Sequence, residues 1–257
     1  MEIAEHLAQL RRDGDALVAT ASAVPADSPV PTCPGWDLRT LVGHMGRVQR
    51  WASSHVIEAR QRPMRVRELY ELHPVPPDDQ LADWLSAGLD GLINALAAAP
   101  NDLECWHFLP APTAVAFWAR RQAHETAIHR ADAQSISGSI DGYPAAFAVD
   151  GIDELLLAFF ARPDDQLVSD PPRRLRVSAS DAGVDWLVTI GPTGPETLRI
   201  ADAPAGFDDP ADATMRGAAT DVYLALWNRP AVGTLSIDGD EGLLGFWREH
   251  ARILWSE

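Results

Sequence analysis

The sequence lacks lysine altogether, so its 21 basic residues are all arginine. Aspartate and glutamate together number 37, which gives the chain a formal net charge of −16. The absence of lysine excludes enzyme classes that form a Schiff base through a lysine amine. The acidic balance disfavours nucleic acid, whose phosphates it would repel, and anionic lipid surfaces. We therefore expect neither a nucleic-acid partner nor a membrane partner.

Cysteine and long apolar runs are also scarce. The chain has two cysteines, Cys33 and Cys105, so a disulfide framework does not hold it together. No stretch approaches the ~18 uncharged apolar residues of a membrane span, and the charged N-terminus is unlike a signal peptide. Apolar residues still make up 46% of the chain, enough for a real core. We expect a soluble, cytoplasmic protein that is a monomer.

The first part of the chain has the periodicity of helices. Apolar residues recur at spacings of three and four in four segments, 2–24, 37–60, 79–98 and 113–133. Proline-rich joints separate the segments, and Asp37 stands where the second helix needs an N-cap. Long helices with such joints are typical of a four-helix bundle. The sequence therefore predicts a bundle domain over residues 1–140.

The pattern changes after Gly138. Residues 144–161 have helical periodicity, and β-branched runs then alternate with turns, as in LRVSAS, DWLVTI, TLRIAD and TLSID. Two more helices are predicted, over 217–228 and 240–253. Residues 145–257 are therefore predicted to form a smaller C-terminal α/β domain, which makes the whole chain α+β.

Glu125 and His129 stand four residues apart on the fourth predicted helix. Four residues turn about 40° past a full turn, so both side chains leave the same face. Imidazole nitrogen and carboxylate oxygen are ligands that suit zinc and related ions. His44 is the candidate for a third ligand, because it lies about one-third of the way along the second helix. The alternative is a solvated Glu–His pair, which this spacing often produces by chance.

The segment HETAIH imitates a zinc-protease motif without meeting its geometry. In that motif two histidines stand four residues apart with a glutamate between them. His124 and His129 are five residues apart, about 140° around a helix, so they cannot both face one ion. We therefore exclude a protease of that class.

Three segments resemble the mycothiol-dependent maleylpyruvate isomerase family. VPTCPGWDLRTLVGHMGRVQRW is similar to the family's N-terminal signature at Pro34-Gly35-Trp36, Leu41-Val42, His44 and Trp51. HETAIHRADA is similar to its second motif at Glu125, His129, Arg130 and Asp132. GAATDVYLALWNRP and the later LSIDGDEGLL are more loosely similar to its C-terminal domain.

The resemblance implies a fold, a metal and a thiol. The bundle is expected to be DinB-like, and the C-terminal domain to be related to sterol-carrier folds. Zinc, or another divalent transition metal, is expected at His44, Glu125 and His129. The expected thiol cosubstrate is mycothiol, the low-molecular-weight thiol of actinobacteria. Because the family is functionally broad, the resemblance identifies no acceptor substrate.

Five further residues are candidates for the site. Trp36 and Trp51 are cofactor-binding candidates as walls of a pocket, with packing as the alternative. Arg216 and Arg229 are the catalytic candidates, because an arginine can grip the carboxylate of an acceptor bidentately. The alternative for each arginine is a surface ion pair. Asp132 is a candidate to orient a ligand histidine.

Three functions fit these residues. Three protein ligands leave a fourth metal position open, as in catalytic sites, which fits an isomerase or S-transferase that adds a thiolate to an electrophilic small molecule. The same open position fits a metal-dependent hydrolase. The third possibility is a non-catalytic protein that binds a metal or a small ligand. Dependence of turnover on a thiol separates the first two.

Overall fold

The computed structural model describes residues 1–162, 166–203, 210–251 and 253. The chain divides into two compact units, Met1–Asp141 and Gly142–Ser256. The first unit is helical and the second combines helices with a five-stranded sheet, so the predicted α+β fold class is confirmed. Among the described residues, no helix is long and apolar enough to cross a membrane.

Five helices build the first unit: α1 (Ile3–Ala23), α2 (Leu38–Ile57), α3 (Val66–Leu72), α4 (Leu81–Ala98) and α5 (Ala114–Ser135). The four long ones correspond to the four predicted segments. The short α3 lies in what the sequence predicts to be a joint. It is only seven residues long and none of its residues is buried, so its apolar run is too short for the periodicity to predict a helix.

The long helices bury one apolar face each in a shared core. Helix α1 packs on α4 and α5, and α2 packs on the same two helices. The fully buried side chains come from every long helix and include Leu10, Leu17, Leu41, Met45, Leu85, Leu89 and Trp118. Burying each such side chain stabilises the fold by roughly 1.5–3 kcal/mol.

The helices that matter for the site begin at side-chain caps. The Asp37 carboxylate accepts the backbone N–H of Thr40 at 2.7 Å, as predicted for the start of α2. The Thr113 hydroxyl likewise accepts the N–H of Ala116 at the start of α5. Helix α4 begins two residues later than the predicted segment 79–98, because a 3₁₀ turn, Asp78–Gln80, precedes it and leaves Gln80 at the cap position without a side-chain cap.

The described part of the second unit contains three α-helices and one β-sheet. Helix α6 (Ala145–Asp153) continues into a π-helical turn (Glu154–Phe159), and α7 (Ala219–Leu226) and α8 (Glu241–His250) follow later. The strands are β1 (Arg173–Ala179), β2 (Val184–Gly191), β3 (Gly194–Arg199), β4 (Ala213–Gly217) and β5 (Ser236–Gly239). Their order is β3-β2-β1-β4-β5, with β1 and β4 parallel and the other pairs antiparallel.

Strand β4 was not among the predicted strands. Only five residues long, it alternates buried Ala213, Met215 and Gly217 with Thr214 and Arg216. Small and polar residues at this length give a weak period-2 signal. Its position is fixed by parallel pairing with β1, in which Leu175 lies opposite Ala213, 38 residues later in the sequence.

Replacing Gly46 with alanine tests how closely α2 approaches α4. A Cβ at Gly46 would lie 2.1 Å from the ring of Trp84, and the Arg50 guanidinium covers that ring at 4.2 Å from its centroid. We expect Gly46→Ala to lower the free energy of unfolding in urea by about 1–3 kcal/mol. Gly91→Ala on α4 is the control, because nothing lies within 4 Å of its added Cβ; it should raise stability by up to about 1 kcal/mol. Equal stabilities for the two variants would contradict the close approach.

Candidate metal centre

His44 from α2 meets Glu125 and His129 from α5 inside the first unit. One potential ligand atom from each of the three lies within 4.8 Å of the other two. The Oε1 atom of Glu125 is 3.3 Å from Nε2 of His44 and 3.5 Å from Nε2 of His129. The structure therefore brings together the three residues that the sequence predicts as metal ligands.

The spacing of these three atoms fits a small divalent ion. Zinc binds imidazole nitrogen and carboxylate oxygen at about 2.0–2.2 Å, and tetrahedral angles then put ligand atoms about 3.3–3.6 Å apart. The two measured separations, 3.3 and 3.5 Å, match that edge length. The donors are also the kinds that borderline transition metals prefer. The residues present thus fit the metal that the sequence predicts.

Asp132 fixes the orientation of His129. Its Oδ2 atom is 2.9 Å from Nδ1 of His129, and its Oδ1 atom accepts the hydroxyl of Thr32 at 2.6 Å. The Asp132 side chain is fully buried, so this hydrogen bond is shielded from water. A proton held on Nδ1 leaves Nε2 as the nitrogen that faces Glu125 and a metal.

Arg121 occupies the other oxygen of Glu125. Its Nη2 atom donates to Oε2 at 3.0 Å, and the Arg121 side chain is only 2% exposed. Because Oε2 is taken, Oε1 is the oxygen left for the two histidines. Arg121 precedes Glu125 by four residues, so helical spacing alone contained the signal for this pair. Arg121 was not among the predicted site residues.

The charges of the cluster shift two pKa values in opposite directions. Burial raises the pKa of Glu125, but hydrogen bonds from His129 and His44 and the charge of Arg121 outweigh burial and hold it well below its usual range. Burial lowers the pKa of His129, but its hydrogen bonds to Asp132 and Glu125 outweigh it and raise that pKa to about 9. Without a metal, an imidazolium therefore bridges two carboxylates, and a metal would replace its Nε2 proton.

The two candidate tryptophans have different surroundings. The Trp36 ring stacks on His129 with centroids 6.1 Å apart and lies 5.3 Å from the ring of His44. Trp51 lies two turns beyond His44 on α2. Its ring contacts those of His55, Trp106, Phe108 and Trp118. Trp36 therefore forms a wall of the ligand cluster. A cofactor contact for Trp51 stays a prediction.

A cavity of about 460 Å³ opens beside the cluster and has Trp36 and His44 in its wall. The side chain of His44 is 30% exposed, whereas those of Glu125 and His129 are 12% exposed. The cluster is therefore buried on the α5 side and partly exposed on the His44 side.

His124 and His55, which the sequence analysis did not choose as ligands, have other partners. His124 is fully buried and its ring meets that of His6, with centroids 6.1 Å apart. His55 is also buried, and its Nδ1 atom lies 2.8 Å from the carbonyl oxygen of Trp51. Both side chains pack within the helical unit.

The two candidate arginines belong to the second unit. Arg216 lies on β4 with an exposed side chain. Arg229 follows α7; its Nη1 atom donates to the carbonyl of Trp227 at 2.7 Å, and its backbone N–H donates to Leu224. Their roles at an acceptor stay predictions.

Two family models match the chain, one over each of its two parts. The family model of the mycothiol maleylpyruvate isomerase N-terminal domain matches residues 7–134, and that of the MDMPI C-terminal domain matches residues 146–246. The crystal structure of the mycothiol-dependent maleylpyruvate isomerase superposes with a TM-score of 0.62 at 14% identity, covering 92% of this chain and 93% of that one. The crystal structure of a histidine-to-alanine mutant of that enzyme superposes with a TM-score of 0.57 at 14% identity, covering 87% of this chain and 88% of that one. At this identity the structures show a shared fold. No curated protein matches the sequence.

The ligand assignment predicts a graded loss of metal. We expect His44→Ala, Glu125→Gln and His129→Ala each to weaken zinc affinity by more than about 100-fold, and Asp132→Asn by about 10- to 100-fold through loss of orientation. Elemental analysis of protein purified without a metal-affinity tag measures the metal content of each variant, and a chelator titration measures its zinc affinity. The control is His250→Ala in α8, which should keep its metal. Full metal content in His44→Ala would contradict the assignment.

The raised pKa of His129 can be measured in metal-free protein. Its folded pKa of about 9 lies above the usual value, so the imidazolium persists at neutral pH and is lost as pH rises through about 9. We expect an NMR titration of the ring to give that midpoint. In Asp132→Asn the midpoint should fall towards 6.5, because one of the two carboxylates that stabilise the charge is gone. A midpoint near 6.5 in the unmodified chain would contradict the described hydrogen bonds.

Proposed function

Because the chain belongs to the mycothiol-dependent maleylpyruvate isomerase family, we propose that it is a metal-dependent enzyme that uses mycothiol as its thiol. The proposed reaction adds the thiolate to an electrophilic small molecule, either as an isomerase or as an S-transferase. The proposed metal ligands are His44, Glu125 and His129, and the proposed ion is Zn²⁺ or another divalent transition metal.

One observation carries this proposal: three ligand atoms converge beside a cavity. Three protein ligands leave a fourth coordination position, which is the arrangement of catalytic rather than structural zinc sites. The cavity of about 460 Å³ that has His44 in its lining supports this proposal, because it offers space for small molecules on the His44 side of the cluster. A closed structural site would instead have a fourth protein ligand and no adjoining space.

A divalent metal held by His44, Glu125 and His129 would supply Lewis acidity, which would lower the pKa of a bound thiol so that it could react as a thiolate near neutral pH. In the isomerase version, a C–S bond forms at one carbon of a cis double bond and the π electrons move onto the conjugated group. Rotation about the resulting single bond follows. The C–S bond then breaks, which restores the double bond in trans geometry and returns the thiol. In the transferase version a proton is added and the C–S bond remains.

The residues of the chain hold the reacting groups in place. Asp132 and Thr32 orient His129, and Arg121 orients Glu125, so two of the three ligands cannot rotate freely. Trp36 covers both histidine rings on one side. These contacts support a rigid ligand set, in which binding needs little rearrangement.

Arg216 and Arg229 remain our proposed contacts to the acceptor from the C-terminal domain. The exposed side chain of Arg216 is available for this role. Arg229 has a carbonyl partner at 2.7 Å, so it offers fewer unoccupied N–H groups. Of the two, the surroundings favour Arg216.

Thiol dependence of turnover tests the proposal against a hydrolase. We expect metal-loaded protein to convert electrophiles from a panel of unsaturated acids, aldehydes and epoxides only when mycothiol is present. Chelation should abolish the activity and added Zn²⁺ should restore it. Product analysis by mass spectrometry distinguishes an isomer of unchanged mass from a thiol adduct.

The variant His44→Ala and the control His250→Ala complete the test. The first should lack activity because it lacks the metal, and the second should retain it. Turnover of esters or amides without any thiol would support the hydrolase instead. A fully metallated protein with no thiol-dependent turnover on the panel would overturn the proposed function.

A further inference from the structure

The cavity beside His44 is lined largely by one face of α2. Arg39, Gly43 and Arg47 stand four residues apart, about one helical turn, and His44 adjoins Gly43. Tyr70 of α3 also lines the cavity. Two arginines therefore face the same cavity as a proposed metal ligand. This is unexpected in a chain of net charge −16, and it points to an anionic occupant.

The two arginines differ in their partners. Arg39 is paired with the carboxylate of Asp78 and also donates to the carbonyl oxygen of Pro76 at 2.9 Å. Arg47 donates through Nε to the carbonyl of His73 at 3.2 Å. Among the described residues no carboxylate pairs with Arg47. Its charge therefore stays uncompensated, and its two Nη groups remain available.

The Arg47 guanidinium is held close to the turn that carries His44. The Tyr70 ring lies against it, 3.9 Å from the ring centroid to Cζ. Its Nη1 atom is 3.9 Å from the position that a Cβ on Gly43 would occupy. The side chain therefore folds back along α2 towards Gly43, the residue that precedes His44.

The neighbouring His73 reports the positive field at this end of the cavity. Burial lowers the pKa of His73, and the charges of Arg50 and Arg47 lower it further. Arg50 itself donates to the carbonyls of Gly46 and Trp84 and stacks on Trp84. Arg47 is therefore the cation that both contributes to this field and lines the cavity.

We propose that Arg47 is a further acceptor contact, besides Arg216 and Arg229, which binds a carboxylate of the acceptor and so selects for unsaturated carboxylic acids over neutral electrophiles. This inference rests on the proposed function, because it assumes that the thiol occupies the open metal position. Positions three apart on a helix have Cβ atoms about 5–6 Å apart. An acceptor carboxylate that meets the Nη groups would thus lie in the cavity that His44 also lines.

Binding of fumarate and of its neutral diamide, fumaramide, to metal-loaded protein tests this inference. We expect the unmodified chain to bind fumarate more tightly by isothermal titration calorimetry. In Arg47→Gln we expect fumarate affinity to fall about 10- to 100-fold, the usual effect of losing a charge-assisted hydrogen bond, while fumaramide affinity stays unchanged. The fumarate affinity of Arg47→Lys should lie between those of the unmodified chain and of Arg47→Gln.

Arg67→Gln is the matched control. Arg67 lies on α3, its side chain is 88% exposed, and it pairs with Glu71 rather than facing the cavity. This variant removes the same charge from the same region and should bind fumarate normally. Metal content measured in every variant excludes loss of the ion as the cause.

The outcomes separate this inference from the proposed function. A preference for fumarate that survives in Arg47→Gln would mean that the carboxylate is bound elsewhere, for example by the metal, and would overturn the role of Arg47. Absence of any preference in the unmodified chain would overturn it as well. Carboxylate selection that depends on Arg47 but accompanies no thiol-dependent turnover would support the anion site and overturn the proposed function alone.

Discussion

The carboxylate of Glu125 is the group on which the site in the first unit depends. A carboxylate this buried is costly unless its charge is compensated. Arg121 holds one oxygen at 3.0 Å, and the two histidines face the other at 3.3 and 3.5 Å. The carboxylate thus sets the distance between α2 and α5 at this level of the bundle. It also places two imidazoles where an ion needs them.

A series of hydrogen bonds extends from this carboxylate to a proline-rich joint. His129 bonds to Asp132, and Asp132 accepts the hydroxyl of Thr32 from the segment that precedes α2. Trp36, from the same segment, lies against both histidines. The joint between α1 and α2 is therefore part of the site. Its prolines and its cap at Asp37 fix a wall of the ligand cluster as well as the start of a helix.

The absence of lysine has a structural counterpart in the roles of arginine. Arg121 and Arg130 are both nearly buried and each pairs with a carboxylate, Glu125 and Asp13 respectively. Arg47 and Arg50 lie over aromatic rings. The planar guanidinium suits both tasks, since it forms directed hydrogen bonds and stacks on rings. An acidic chain thereby keeps a few cations in fixed positions, one of them, Arg47, at the cavity.

The sequence by itself determined what depends on local geometry. The four long helices, the cap at Asp37 and the shared face of Glu125 and His129 all follow from the turn per residue of a helix, and the family motifs added His44. Tertiary structure decided the rest. Only folding brings Nε2 of His44 to 3.3 Å from Oε1 of Glu125, which is 81 positions later in the sequence. Folding likewise brings Thr32 into contact with Asp132. Helix α3 and strand β4, which carry little periodic signal of their own, are defined by their contacts with other elements. The cavity and the surroundings of Arg47 depend on α3, and for that physical reason no local pattern predicted them.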